Sequence, residues 1–314
     1  MFQKLLLLSG TLGLALVGVL LLAAPAGGAA WAATDPTPTL APVAAPVMGE
    51  FDPASVAGID LEAYPIVPEI GEQARAIYAE GLALGHDPHS FAKVGDCMTD
   101  DPGFLIPLGE GSYDLGEYAS LEAVIAHYTA GEINPFTQVS QAAAGGFNAA
   151  SVLDNMWANP EFCEAGESPL SCEFRRTNPG VALVLFGTND VYYLTDAQLD
   201  FFLRSILAES IENRVLPIVS TFPPRSEFPE QSVLFNQIIV KAAEDYGVPL
   251  INLWRALEPL PTHGLDPDDS THLTSPDDGS AGDFSPENLQ TGFTVRNLVT
   301  LQALSALLEG QLDS

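Results

Sequence analysis

The chain is short of cations. Against 41 acidic residues it carries 11 lysines and arginines, giving a formal charge of −30, and its lysines are Lys4, Lys93 and Lys241 alone. A polyanion of this kind repels nucleic acid and anionic membrane, so neither is expected as a partner. Solubility is one reading of the charge; adaptation to salt or acid outside the cell is another. Long apolar runs are equally scarce: after the N-terminal segment nothing is apolar enough to span a bilayer. There is no internal repeat. The acidic stretches "DPDD" and "SPDDG" lack the Asp-x-Asp-x-Asp-Gly…Glu order of a calcium loop, and apart from Asp269 their carboxylates read as solvated. His86 and His89, in "GHDPH", have no acidic or cysteine partner at metal-ligand spacing and read as a surface loop.

What is there begins with Lys4, an apolar run from Leu5 to Ala24, and a small-residue region containing Ala30-Trp31-Ala32. One positive charge, a greasy core and an A-x-A site describe a secretory signal peptide over residues 1–33. If it stays uncleaved, the run is just long enough to anchor the chain in a membrane. Either way the remainder is expected outside the cell. The Pro- and Ala-rich stretch 34–53 has neither helical nor strand period and reads as a linker. The folded domain is expected over 54–314.

Cysteine is rare, and its three copies divide unevenly. Cys163 and Cys172 enclose "EAGESPLS", a turn-rich loop, in a chain bound for an oxidising compartment, so a local disulfide is expected. Cys97 is left over. An odd cysteine in a secreted chain flags a free reactive thiol, although a small buried hydrophobe is the commoner fate of a lone cysteine.

Four apolar, β-rich runs stand out: "FAKV" (91–94), "VALVLF" (181–186), "VLPIVST" (215–221) and "VPLINL" (248–253). They are continuous rather than alternating, as strands covered on both faces must be. Between and after them lie segments of helical period. Leu199, Phe202, Leu203, Ile206 and Leu207 share a face, as do Leu234, Phe235, Ile238 and Ile239, and Leu298, Leu301, Leu304 and Leu308. This alternation predicts a three-layer α/β/α sandwich around a central parallel sheet. Functional groups then collect at the carboxyl ends of the strands.

Polar motifs sit at such points. Gly95-Asp96-Cys97 follows the first run; "FGTND" (186–190) follows the second; Asp269-x-x-His272 lies in an expected loop after the last strand and before the final helix. A pair of glycines, Gly145 and Gly146, interrupts the small apolar run "AAAGGFNAASVL". Each alone is unspecific. Together and in this order they resemble the SGNH, or GDSL-type, hydrolases over roughly residues 90 to 310. The blocks become Gly95-Asp96-Cys97, Gly146 (or Gly145), Gly187-Thr188-Asn189-Asp190 and Asp269-Ser270-Thr271-His272. The one departure is sulfur where that family carries the serine oxygen.

The resemblance implies a flavodoxin-like fold and a secreted ester or acyl hydrolase. Cys97 takes the nucleophile position, His272 is the base, and Asp269 orients it. Asn189, Gly146 and the backbone N–H of Cys97 form the oxyanion hole. It also implies that Asp96 and Asp190 are structural. No metal or organic cofactor is required, and the expected partner is a small-molecule, glycan or lipid ester.

Three readings of Cys97 stay open: a thiol nucleophile paired with His272, a degenerate site that binds a carbohydrate or acylated ligand without turnover, and a cysteine oxidised to Cys163 or Cys172. A helix N-terminus after residue 97 would lower the thiol pKa and the negative chain would raise it. Arg225, in "STFPPR", is a candidate substrate contact. Trp157, Trp254 and Tyr128 read first as core and second as ligand-lining residues.

Overall fold

The computed structural model describes residues 51–312. The expected signal segment and all but the last three residues of the expected linker lie outside them. Six strands are formed: β1 (Asp87–Gly95), β2 (Pro179–Leu185), β3 (Leu216–Ser220), β4 (Leu250–Ile251), β5 (Leu265–Asp266) and β6 (Asp269–Leu273). The α-helices are α1 (Glu72–Leu84), α2 (Cys97–Asp100), α3 (Ile106–Gly109), α4 (Glu122–Thr129), α5 (Pro169–Thr177), α6 (Asp190–Tyr193), α7 (Asp196–Glu212), α8 (Pro229–Tyr246), α9 (Leu253–Leu257) and α10 (Gly292–Leu312).

β1 to β4 pair in chain order and in parallel, with Val94 beside Val184 and Val184 beside Val219. Every residue of β2 and β3 is buried, which is why these runs carry no polar alternation. The fourth run shrinks to two paired residues, Leu250 and Ile251, because Asn252 turns away to cap α9. On its other edge β1 is extended by a parallel bridge between Gly95 and Ala143. The chain thus enters the sheet at β1, steps to one side at Ala143, and returns to the other side for β2. That reversal is a topological switch point at the carboxyl end of β1, where ligand sites of open α/β sheets are generally found.

Helices flank the sheet. α7 and α8 pack on each other and on β3, while α10 packs on α1, α4 and β4. The boundaries follow local chemistry. Thr195 and Gln198 close a capping box on α7, and α8 starts with Pro229 at its first turn and stops at Gly247 with φ +62°. Leu199, Leu203, Ile206 and Leu207 are buried as their spacing predicts, whereas Phe202 and Leu308 are only half-buried at the edges of their stripes.

Lys93, inside β1, is buried. Its Nζ donates to the Phe136 carbonyl at 3.0 Å. Burial lowers its pKa to about 8, against the pull of the buried Glu173.

Candidate active site

β1 delivers Gly95 and Asp96 to the switch point, and the chain turns at once into α2. Asp96 caps this single turn, its carboxylate accepting the Met98 N–H at 3.0 Å. Cys97 is therefore the first helical residue, half-buried, and its thiol is free. The other two cysteines are joined to each other as Cys163–Cys172, so the reading in which Cys97 is oxidised to either is set aside.

Behind Cys97 sits a buried charge arrangement. Asp96 has no exposure, and burial, reinforced by Asp190, pushes its carboxyl up to about 7 against the opposing field of Arg296. Arg296 reaches in from α10. It donates to the Met98 carbonyl and to Thr99 Oγ1 (2.9 Å), with its guanidinium 3.6 Å above the Phe104 ring. Desolvation lowers its pKa to about 10. α2 is thus fixed at its start by Asp96 and along its length by Arg296.

The block after β2 supplies the opposite wall. Gly187 has φ +140°, and a Cβ there would stand 2.1 Å from the Phe222 ring, so only glycine fits. Asp190 is buried and ties two loops together: its oxygens accept the Gly187 and Ala149 N–H groups, both at 2.8 Å. Asn189 donates one amide hydrogen to the Phe147 carbonyl at 2.8 Å, which leaves the second for another acceptor. Phe147 directly follows Gly146, whose φ is +85° and beside which a Cβ would meet nothing. The Gly145 N–H, by contrast, is taken by Asp100 at 3.3 Å. Of the two glycines, Gly146 has the conformation only glycine adopts readily.

The Asp269-x-x-His272 motif lies not in a loop, as its polar composition predicts, but in β6, antiparallel to β5. His272 Nδ1 stands 2.7 Å from Asp269 Oδ2, and both side chains remain partly exposed. Oδ1 of the same carboxylate accepts the Thr271 N–H at 2.9 Å and the Thr271 hydroxyl. These bonds and the imidazole hold Asp269 down at about 2. The hairpin faces α2, where the Cys97 thiol donates to the Thr271 carbonyl at 4.0 Å, a long bond even for sulfur. Burial pushes the Cys97 thiol up to about 12, and the Asp96 and Asp269 carboxylates act in the same direction. The opposing signs read from sequence thus resolve upward, since the following helix is a single turn and its N–H groups lower the pKa too little.

Several sequence expectations change. Arg225 is buried, donates to the Thr188 carbonyl at 3.0 Å and pairs with Glu227, so its guanidinium is engaged within the protein. Tyr128 is core with no exposure, but Trp157 is 57% exposed, its ring edge against Phe147 at 5.9 Å. Tyr192 and Tyr193, on α6 just past Asn189, are exposed as well. His86 is fully engaged, its ring nitrogens 2.8 Å from Asn178 Oδ1 and the Asn213 carbonyl, and His89 Nδ1 binds the His127 carbonyl. Among the described residues the one group at metal-ligand spacing is Cys163, Glu167 and Cys172, whose sulfurs form the disulfide. No helix among these residues is long and apolar enough to cross a membrane. Sequence reasoning missed Ser270, Thr271 and Glu227; two hydroxyl residues between Asp269 and His272 are the signal that was there to follow.

A parallel sheet with helices on its flanks, carrying these four blocks around the carboxyl end of β1, has the α/β fold of the SGNH hydrolases. The profile of the GDSL-like Lipase/Acylhydrolase family matches residues 94–276, more than half of the chain, and the chain belongs to that family. Among solved structures it is similar to the esterase EstA from Pseudoalteromonas sp. (12% identity, 72% of this chain and 100% of that one, TM-score 0.43). It is also similar to the lipase/acylhydrolase from Enterococcus faecalis (17%, 67% and 95%, 0.42). A third is Axe2, an acetylxylan esterase from Geobacillus stearothermophilus (17%, 70% and 94%, 0.44). No curated protein sequence matches.

Proposed function

We propose that the protein is a secreted esterase or acyl hydrolase in which Cys97, His272 and Asp269 act as the triad. The observation that carries this is the 2.7 Å contact between His272 and Asp269 on a hairpin whose Thr271 carbonyl meets the Cys97 thiol. A thiol held up at about 12 is neutral at pH 7. His272 therefore removes the proton as Sγ attacks the ester carbonyl, rather than resting in an ion pair with a preformed thiolate. Asp269 fixes the Nδ1–H tautomer and stabilises the imidazolium.

The electron pair displaced from the carbonyl forms an oxyanion, which receives the free Asn189 amide hydrogen and the N–H groups of Gly146 and Cys97. When the intermediate collapses, His272 returns the proton to the departing alkoxide, leaving a thioester on Cys97. Water, deprotonated by His272, then attacks the thioester. The acid leaves, the thiol is regained, and no cofactor takes part. The substrate is a small-molecule, glycan or lipid ester.

One observation favours a second reading. The thiol's hydrogen bond runs to a backbone carbonyl, and its pKa is high, as suits a degenerate module that binds a carbohydrate or acylated ligand without turnover. Hydrolysis of an aryl acetate, with mass spectrometry of the quenched enzyme, separates the two. The esterase reading expects turnover, an acetyl group on the Cys97 peptide, and loss of both in Cys97→Ala. Turnover that survives in Cys97→Ala sinks the thiol mechanism. A Cys97→Ser variant that hydrolyses where the parent does not establishes the binding module.

A further inference from the structure

The hairpin that carries His272 and Asp269 has a secure base and an exposed tip. At the base, Thr274 closes the hairpin and ties it to the start of α10: Thr274 N donates to the Gly264 carbonyl, just before β5, at 2.8 Å, and the Phe293 N–H donates to the Thr274 carbonyl at 2.9 Å. Gly292 N–H also donates to Thr274 Oγ1 at 2.9 Å. Beyond the base, Asp269 and His272 bond to each other and to Thr271, all within the same strand. Isolated two-stranded hairpins are marginal in water, so something must hold this end at a fixed distance from residue 97.

Two hydrogen bonds join residues 269–272 to side chains elsewhere in the described chain. One is the long thiol bond from Cys97. The other is Ser270, whose hydroxyl donates to Glu227 Oε2 at 2.5 Å. Glu227 does not float: Arg225 grips its two oxygens through Nε (3.4 Å) and Nη2 (3.3 Å). Arg225 is in turn buried, its Nη1 spent on the Thr188 carbonyl at 3.0 Å and its own N–H on Ser232 Oγ at 3.0 Å. Thr188 precedes Asn189.

We infer that Glu227 is a positioning residue, the middle of an Arg225–Glu227–Ser270 latch that holds the His272 hairpin in register with the Asn189 loop. The inference rests on the proposed hydrolytic reading for its catalytic consequence, but the latch itself does not. Neither of its carboxylate–hydroxyl or carboxylate–guanidinium contacts touches a reacting atom. Each fixes a main-chain segment that bears one. Bonds to an ionised group are the stronger kind, and Ser270 and Arg225 hold the Glu227 carboxyl down at about 2, so the latch stays ionised in acid. A misplacement of about 1 Å between base and nucleophile is enough to cost about a hundredfold in rate.

The test uses Glu227→Gln, Ser270→Ala, the double variant and Ser270→Thr, each checked for an unchanged melting transition. Amide hydrogen exchange reads the latch without reference to activity. Thr271 and His272 are expected to exchange about tenfold faster in Glu227→Gln and Ser270→Ala, with β1 to β3 unchanged. In aryl acetate hydrolysis each single variant lowers kcat about tenfold with KM unchanged, the double variant is no worse than the poorer single one, and Ser270→Thr restores the rate. Unchanged exchange at 271 and 272, or multiplicative losses in the double variant, overturns the latch. A parent that shows no hydrolysis but does show the exchange pattern overturns the proposed function and leaves the latch standing.

Discussion

The Cys97 thiol and the Thr271 carbonyl oxygen lie 4.0 Å apart, so the first and last blocks of the motif meet through the residue beside His272 rather than through its ring. The thiol thus rests against a backbone acceptor in a partly buried setting flanked by Asp96 and Asp269. Its reactivity follows from that neighbourhood.

With its pKa pushed up to about 12, Cys97 carries negligible thiolate at neutral pH. Alkylation of the unreduced protein by iodoacetamide should therefore accelerate about tenfold per pH unit from pH 7 to pH 10, without levelling off. Mass spectrometry of the Cys97 peptide over time gives the rate. A plateau near pH 7 would show a thiolate–imidazolium pair in its place.

Asn189 is anchored by one amide hydrogen and offers the other. Asn189→Ala should lower kcat for an aryl acetate by about two to three orders of magnitude with KM little changed, the signature of a donor engaged with developing charge. Asn189→Asp keeps the shape, loses the donor, and should fall at least as far.

Asp96 titrates near 7 in the folded chain, whereas an unfolded aspartate titrates near 4. Between these values the folded state holds the extra proton, so stability falls as pH rises from about 4 to about 7. Asp190, raised to about 6, acts in the same sense. Asp96→Asn keeps a side chain able to cap α2 and removes the larger share of this slope. Urea midpoints at pH 4.5 and 7.5 should differ less in the variant than in the parent; an equal difference would remove Asp96 as the cause.

Gly187 combines φ +140° with a Phe222 ring 2.1 Å from where a Cβ would lie. Gly187→Ala strains the backbone and displaces a fully buried ring, at a cost of about 2 kcal/mol or more in urea unfolding. Gly145→Ala, where φ is unexceptional and no atom lies within 4 Å, should leave the midpoint near that of the parent.

The sheet was legible because its strands are continuous apolar runs that no exposed element tolerates, and β2 and β3 are buried throughout. The blocks at Cys97, Asn189 and His272 were read through their order, which resembles that of the SGNH hydrolases; alone, each is an ordinary polar turn. Other features were hidden for specific reasons. The hairpin at Asp269 reads as a loop, since a strand of five residues, four of them polar, is too short to show a period of two. Arg225 reads as a candidate substrate contact, since its bond to the Thr188 backbone carbonyl is one that no side-chain pattern reveals. Ser270 and Thr271 look like spacers until their hydroxyls are seen on Glu227 and Asp269. The fate of the thiol depended on how deeply Cys97 sits, a quantity set by residues far away in the chain.

Asp269, Thr271 and His272 make their contacts to one another inside a single strand of five residues. The Asp269–His272 pair is therefore assembled within its own strand, and the turn that bears residue 97 reaches it only through the Thr271 carbonyl. Exchanging sulfur for oxygen at that turn is a one-atom edit that removes none of the bonds within this strand. In the proposed triad the nucleophile and the acid–base pair thus stand on separate elements, one on a helical turn and one on a strand.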